Sequence, residues 1–99
     1  MASLVIDLQD GFSDDTVVIS VDGQEVFRKP GVSTDYSIGL AESVECQVSE
    51  GSVSVEVTVP TRRFSDSISL QISTAVYLGV SVLDEGVGFR TSNDMFLYF

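Results

Sequence analysis

The run Asp7-Leu8-Gln9-Asp10-Gly11-Phe12-Ser13-Asp14-Asp15 places several carboxylates on one glycine-containing stretch. Carboxylates on such a loop can gather the roughly six to eight oxygens that calcium takes, and Asp10, Asp14 and Asp15 are the candidate ligands. The spacing departs from the EF-hand pattern. A turn needs the same Asp-Gly composition with no metal at all. A second group is cationic. Four of the five basic residues form two pairs, Arg28-Lys29 beside Pro30 and Arg62-Arg63 just after Pro60. If both connections fall at one end of the fold, Arg28, Arg62 and Arg63 make a basic patch able to hold a carboxylate, a sulfate or an acidic peptide, with arginine supplying bidentate geometry. The plainer reading pairs each cation with a nearby acid such as Glu25 or Asp66, a surface contact of about 0–1 kcal/mol. A third group is aromatic: six phenylalanines and three tyrosines, with no tryptophan. Sugar-binding sandwiches use flat aromatic platforms. Tyr36, after the polar Thr34-Asp35, and Tyr77, opposite in parity to Leu78 and Val80, are the candidates; otherwise they are rim tyrosines with a wet hydroxyl.

Catalysis finds little support in these residue types. The chain has no histidine, so its serines lack the usual activating base. The one lysine, Lys29, has no serine at Ser-x-x-Lys spacing. Two carboxylates can in principle hydrolyse a glycoside, but a 99-residue domain leaves little room for a deep cleft. The expectation is a protein that is not an enzyme.

The elements that must carry these groups are short strands. Val53, Val55, Val57 and Val59 alternate with Ser52, Ser54, Glu56 and Thr58, the period-two pattern of a half-buried antiparallel strand. Val17, Ile19 and Val21 repeat it, as do Ile68, Leu70 and Ile72, and Val76, Leu78, Val80 and Val82. No window carries an apolar stripe at helical spacing. Asp22-Gly23 between Val21 and Val26 predicts a type I′ hairpin. Glu50-Gly51, Glu85-Gly86 and Ser73-Thr74-Ala75 mark further breaks, and Pro30-Gly31 and Pro60 mark longer connections. About eight or nine strands follow. One flat sheet of that size would leave its apolar face wet, so residues 1–99 are expected to form a single all-β domain. The favoured architecture is a two-sheet antiparallel sandwich, immunoglobulin-like or jelly-roll-like, with essentially no helix, and a small closed barrel is the alternative. The paired cysteines and core tryptophan of true immunoglobulin domains are absent. Residues Val17–Phe27 resemble the Val-Asp-Gly hairpin of lectin-like sandwiches. Turn geometry explains that likeness, and no functional residue follows from it.

Charge narrows the partners. A formal net charge of −10 opposes binding to nucleic acid and to anionic membrane surfaces. Cys46 shares parity with Val44 and Val48 and reads as a small core hydrophobe, leaving no internal disulfide. The amino terminus shows neither a signal peptide nor a transmembrane pattern. The carboxyl terminus, Met95-Phe96-Leu97-Tyr98-Phe99, is wholly apolar or aromatic and predicts an ordered last strand. If that strand is buried, deleting Leu97–Phe99 unfolds the domain. If one face is open, Phe96, Tyr98 and Phe99 are interface residues. Ser33–Ile38 and Val87–Arg90 read as poorly guarded edges, so a homodimer is expected to form through an edge or through the last strand. The leading expectation is a non-catalytic binding or protein-interaction module. The alternatives are a calcium-dependent or calcium-stabilised carbohydrate-binding module and a purely structural domain of a larger assembly.

Overall fold

The computed structural model describes residues 2–98, so Phe99 lies outside the described residues. Eight strands follow in chain order: β1 (Ala2–Leu8), β2 (Asp15–Val21), β3 (Gln24–Val32), β4 (Glu42–Val48), β5 (Gly51–Val59), β6 (Phe64–Ile72), β7 (Ala75–Val82) and β8 (Val87–Ser92). A single 3₁₀ turn, Pro60–Arg62, joins β5 to β6, and Arg63 closes it in the left-handed region at φ 59°. Sheet 1 has the order β4-β1-β7-β8 and sheet 2 the order β3-β2-β5-β6. The expected two-sheet sandwich is therefore present. Every pairing is antiparallel except β1 with β7, which run parallel at the centre of sheet 1. Strands β1 and β2 lie in different sheets, whereas an immunoglobulin domain keeps its first two in one sheet.

The alternating residues build the core between the sheets. Leu4, Ile6 and Leu8 of β1 face inward, as do Val17 and Ile19 of β2, Val55, Val57 and Val59 of β5, and Leu78 and Val80 of β7; all are fully buried. Each such side chain contributes roughly 1.5–3 kcal/mol of burial. Phe12 and Val32 plug the end where the β1–β2 and β3–β4 connections meet. Cys46 is half-buried against this core. Burial and the neighbouring Glu45 push its thiol upward, away from the reactive thiolate.

The Asp22-Gly23 expectation holds in detail. Val21 pairs with Gln24, and the two residues between them have φ 50° and 83°, the two positive values that a type I′ turn requires. Two ties close the sides of the sandwich. Lys29 of β3 bonds Glu42 of β4. Asp66 of β6 accepts the Val87 amide of β8 at 2.9 Å. The second tie caps a donor on an edge strand that would otherwise invite pairing.

Two expectations are corrected here. Ser33–Ile38 is no edge strand: Asp35 and Leu40 form one isolated bridge around a turn, and Asp35 Oδ1 accepts both the amide and the hydroxyl of Ser37. A side chain that caps its own turn holds the backbone out of a ladder. Nor do residues 95–98 form the expected last strand, since they have no ladder partner. Ser92 Oγ accepts the Asp94 amide at 3.0 Å and bends the chain out of sheet 1 onto its outer face. The apolar tail is satisfied by packing on that face. Its alternation survives, with Phe96 and Tyr98 half-buried and Met95 and Leu97 exposed at 67% and 75%.

Candidate functional site

Register determines what the outer face of sheet 1 offers. Across it, one row reads Glu45, Val5, Tyr77, Ser92 and the next reads Ser43, Asp7, Gly79, Arg90. The first row is acid, aliphatic, aromatic. The second holds a carboxylate in the middle of an apolar strand, with a gap beside it where Gly79 has no side chain. The Gln9 amide fills that gap: a Cβ on Gly79 would lie 2.5 Å from Gln9 Oε1. A glycine inside a strand often marks such a close approach.

The tail locks onto this second row. The Tyr98 hydroxyl donates to Asp7 Oδ2 at 2.6 Å and accepts from Gln9 Nε2 at 2.9 Å. Ser43 donates to Asp7 Oδ1 at 2.6 Å. Arg90 donates to Gln9 Oε1 at 3.3 Å, and its guanidinium carbon stands 4.6 Å from the centroid of the Phe96 ring. Both Asp7 and Gln9 are 5% exposed, so these bonds keep buried polar groups satisfied. Burial, then the hydrogen bond to Asp7, pushes the Tyr98 phenol from the ordinary 10.0 to about 12; the Gln9 bond and Arg90 oppose that shift only in part.

Beside the tail, over β4, β1 and β7, lies a groove of about 420 Å³. Its lining includes Val5, Asp7, Glu45, Tyr77, Phe96 and Tyr98. Three aromatics drawn from two separate sequence candidates, Tyr77 from the platform set and Phe96 and Tyr98 from the interface set, thus converge on one face. Tyr36 does not join them: it stands 72% exposed on the β3–β4 turn.

The loop end of the sandwich uses its charges differently. Asp15 is 2% exposed. Its carboxylate takes Arg62 Nε at 3.1 Å on each oxygen, the Thr61 hydroxyl at 2.7 Å and the Ser13 amide at 2.9 Å. Burial alone would raise the Asp15 carboxyl, but Arg62, Ser13 and Thr61 together hold it below its ordinary value. Arg62 also donates to the Gly11 carbonyl at 2.9 Å. This arrangement pins the β1–β2 connection to the β5–β6 turn and occupies both oxygens of Asp15. Asp10 and Asp14 are exposed, and among the described residues no three metal-ligating side chains converge.

Of the cations, only Arg28 takes the local acid expected of it, while Lys29 and Arg62 pair with acids distant in the chain. Arg28 bonds Glu25 at 2.7 Å, Lys29 bonds Glu42, and Arg62 bonds Asp15. Arg63 forms no ion pair among the described residues and lends its left-handed backbone to the turn. Asp66, named as a local acid, bonds a backbone amide instead.

Sequence reasoning missed Asp7, Gln9, Arg90 and Glu45 as site residues. Asp7 left a signal: a lone acid at an outward position in Leu4-Val5-Ile6-Asp7-Leu8. Arg90 left another, as the one basic residue without a basic neighbour. Compared with protein-family models, curated proteins and solved structures, the chain matches none of them.

Proposed function

We propose that this protein is a non-catalytic binding module whose partner docks on the outer face of sheet 1. The observation that carries the reading is the groove where Tyr77, Phe96 and Tyr98 meet. Concave sites lined by aromatics with a few placed polar groups are the usual form of a ligand site, and about 420 Å³ lies at the small-ligand end of the usual range of about 300–1,000 Å³. One wall of the groove is built on strands, and its tail wall is braced by the Tyr98 bonds to the buried Asp7 and Gln9, which favours a preformed site over one that orders on binding. Chemistry within it is poorly supplied. Both Asp7 oxygens already accept hydroxyls, and the chain has no histidine to activate Ser43.

Fragment mapping by amide NMR tests this reading. A set of small apolar and aromatic probes should cluster on Val5, Tyr77 and Phe96. A cluster at the loop end around Asp10 and Tyr36, or shifts scattered without a focus, refutes it.

A further inference from the structure

We propose that the groove on sheet 1 selects a small organic cation, an alkylammonium of which a quaternary ammonium is the simplest probe. This inference rests on the binding-module reading and assigns the ligand's chemistry. Among the described residues, the charged groups lining the groove are Asp7 and Glu45, and no lysine or arginine lines it. Asp7 is 5% exposed, yet no cation lies within ion-pair distance of it among the described residues. Its charge is met only by the Ser43 and Tyr98 hydroxyls, and a buried charge without a countercharge favours a positive neighbour. Glu45 is exposed and lines the same groove, in register with Val5 and, beyond it, Tyr77.

The aromatic lining points the same way. An aromatic face attracts a cation through its quadrupole, most strongly where water is excluded. The chain uses this attraction itself, with Arg90 at 4.6 Å from the Phe96 centroid. Arg28, Lys29 and Arg62 are committed to acids elsewhere, and Arg90 already stands over the Phe96 ring, so Tyr77 and Tyr98 carry the aromatic attraction for a ligand. The net charge of −10 adds a long-range attraction for any cation. Steering alone gives no preference for this face. The aromatic walls supply one, since an inorganic cation keeps its water and an alkylammonium gains by shedding it.

Choline and its uncharged carbon isostere, 3,3-dimethylbutanol, separate the terms. Both are titrated into the full chain at physiological salt, which screens diffuse attraction, and read by amide and aromatic NMR shifts. The expected result is saturable choline binding at Tyr77, Phe96 and Tyr98, with no matching response to the isostere. Glu45→Gln and Tyr77→Leu should each weaken choline by about 3- to 30-fold, the span set by a cation–aromatic or charge contact. Glu45 is exposed, so its variant leaves the core intact. Equal binding of choline and isostere in the groove overturns the cation selectivity and leaves the binding-module reading standing. Choline shifts centred on Asp10, Asp14 or Asp84, or no shifts in the groove, overturn the inference, and the fragment mapping then judges the module by itself.

Discussion

Removing one oxygen, in Tyr98→Phe, tests how the tail is held. The hydroxyl donates to Asp7 at 2.6 Å and accepts from Gln9 at 2.9 Å, so its loss leaves a buried carboxylate short of a donor and a buried amide short of an acceptor. A hydrogen bond to a charged group is worth about 1.5–3 kcal/mol, and water reaching the half-exposed ring returns part of it, which leaves about 1–2 kcal/mol. In a domain of this size that lowers the melting midpoint by about 4–15 °C. The phenol's titration reports on the same site, with burial of the ring contributing more than the Asp7 hydrogen bond. It titrates near 10.0 when free and near 12 in the fold. The folded state therefore holds this proton more tightly, and its contribution is complete below pH 10 and lost as pH rises to about 12. Two pKa units correspond to at most about 2.7 kcal/mol, and solvent screening around the phenol reduces that to a similar 1–2 kcal/mol. Urea unfolding of both proteins, from neutral pH upward, should show a difference of about 1–2 kcal/mol that closes by about pH 12. The phenolate absorbance titration should lose its step at about 12 in the variant. A stability difference below about 0.5 kcal/mol at neutral pH, or one that persists unchanged above pH 12, refutes the network.

Other substitutions probe the remaining constraints. Arg62→Leu strands the Asp15 carboxylate, whose side chain is 3% exposed, and should destabilise by about 2–4 kcal/mol at neutral pH. Because the Asp15 pKa is depressed, that stabilisation is present above the ordinary value of 3.8 and lost as pH falls below it, so acid unfolding curves of the two proteins should converge. Gly11→Ala points a Cβ to within 2.1 Å of the Val82 carbonyl oxygen at φ +89° and should cost about 3 kcal/mol or more. Gly23→Ala, at φ +83° with nothing within 4 Å, should cost only about 1 kcal/mol, and paired thermal melts compare the two. Truncation after Asp94 should keep the sheet signal in circular dichroism and lose about 2–4 kcal/mol, since the tail packs outside the inter-sheet core. Loss of the sheet signal would restore the buried-strand expectation.

The strands were legible because alternation is a local property. Val53 to Val59, Val17 to Val21 and Val76 to Val82 each show one apolar face, and a period of two admits one arrangement on a pleated backbone. Asp22-Gly23 was legible for a similar reason: a two-residue turn with two positive φ values leaves few residue choices. Ser33–Ile38 misled because its composition suits an edge and a turn alike, and the Asp35 carboxylate decided between them. Met95–Tyr98 misled because an apolar run announces burial without saying whether a ladder or a packed face provides it. The calcium reading of Asp15 rested on composition, and a carboxylate does not reveal in sequence that Arg62, 47 residues on, will occupy it.

By itself, then, the sequence determined the all-β class, the first hairpin and the acidic surface, each a consequence of local period, turn stereochemistry or summed charge, while the choice of two packed sheets over a closed barrel came from the strand order. Tertiary structure alone decided the strand order and everything that depends on register. Asp7 meets Tyr98 across 91 residues, and Gln9 meets Arg90 across 81. Tyr77, Val5 and Glu45 share a row only because β1 pairs in parallel with β7 and antiparallel with β4. A groove is a relation between strands brought together from distant parts of the chain, and no local pattern encodes which strands those will be.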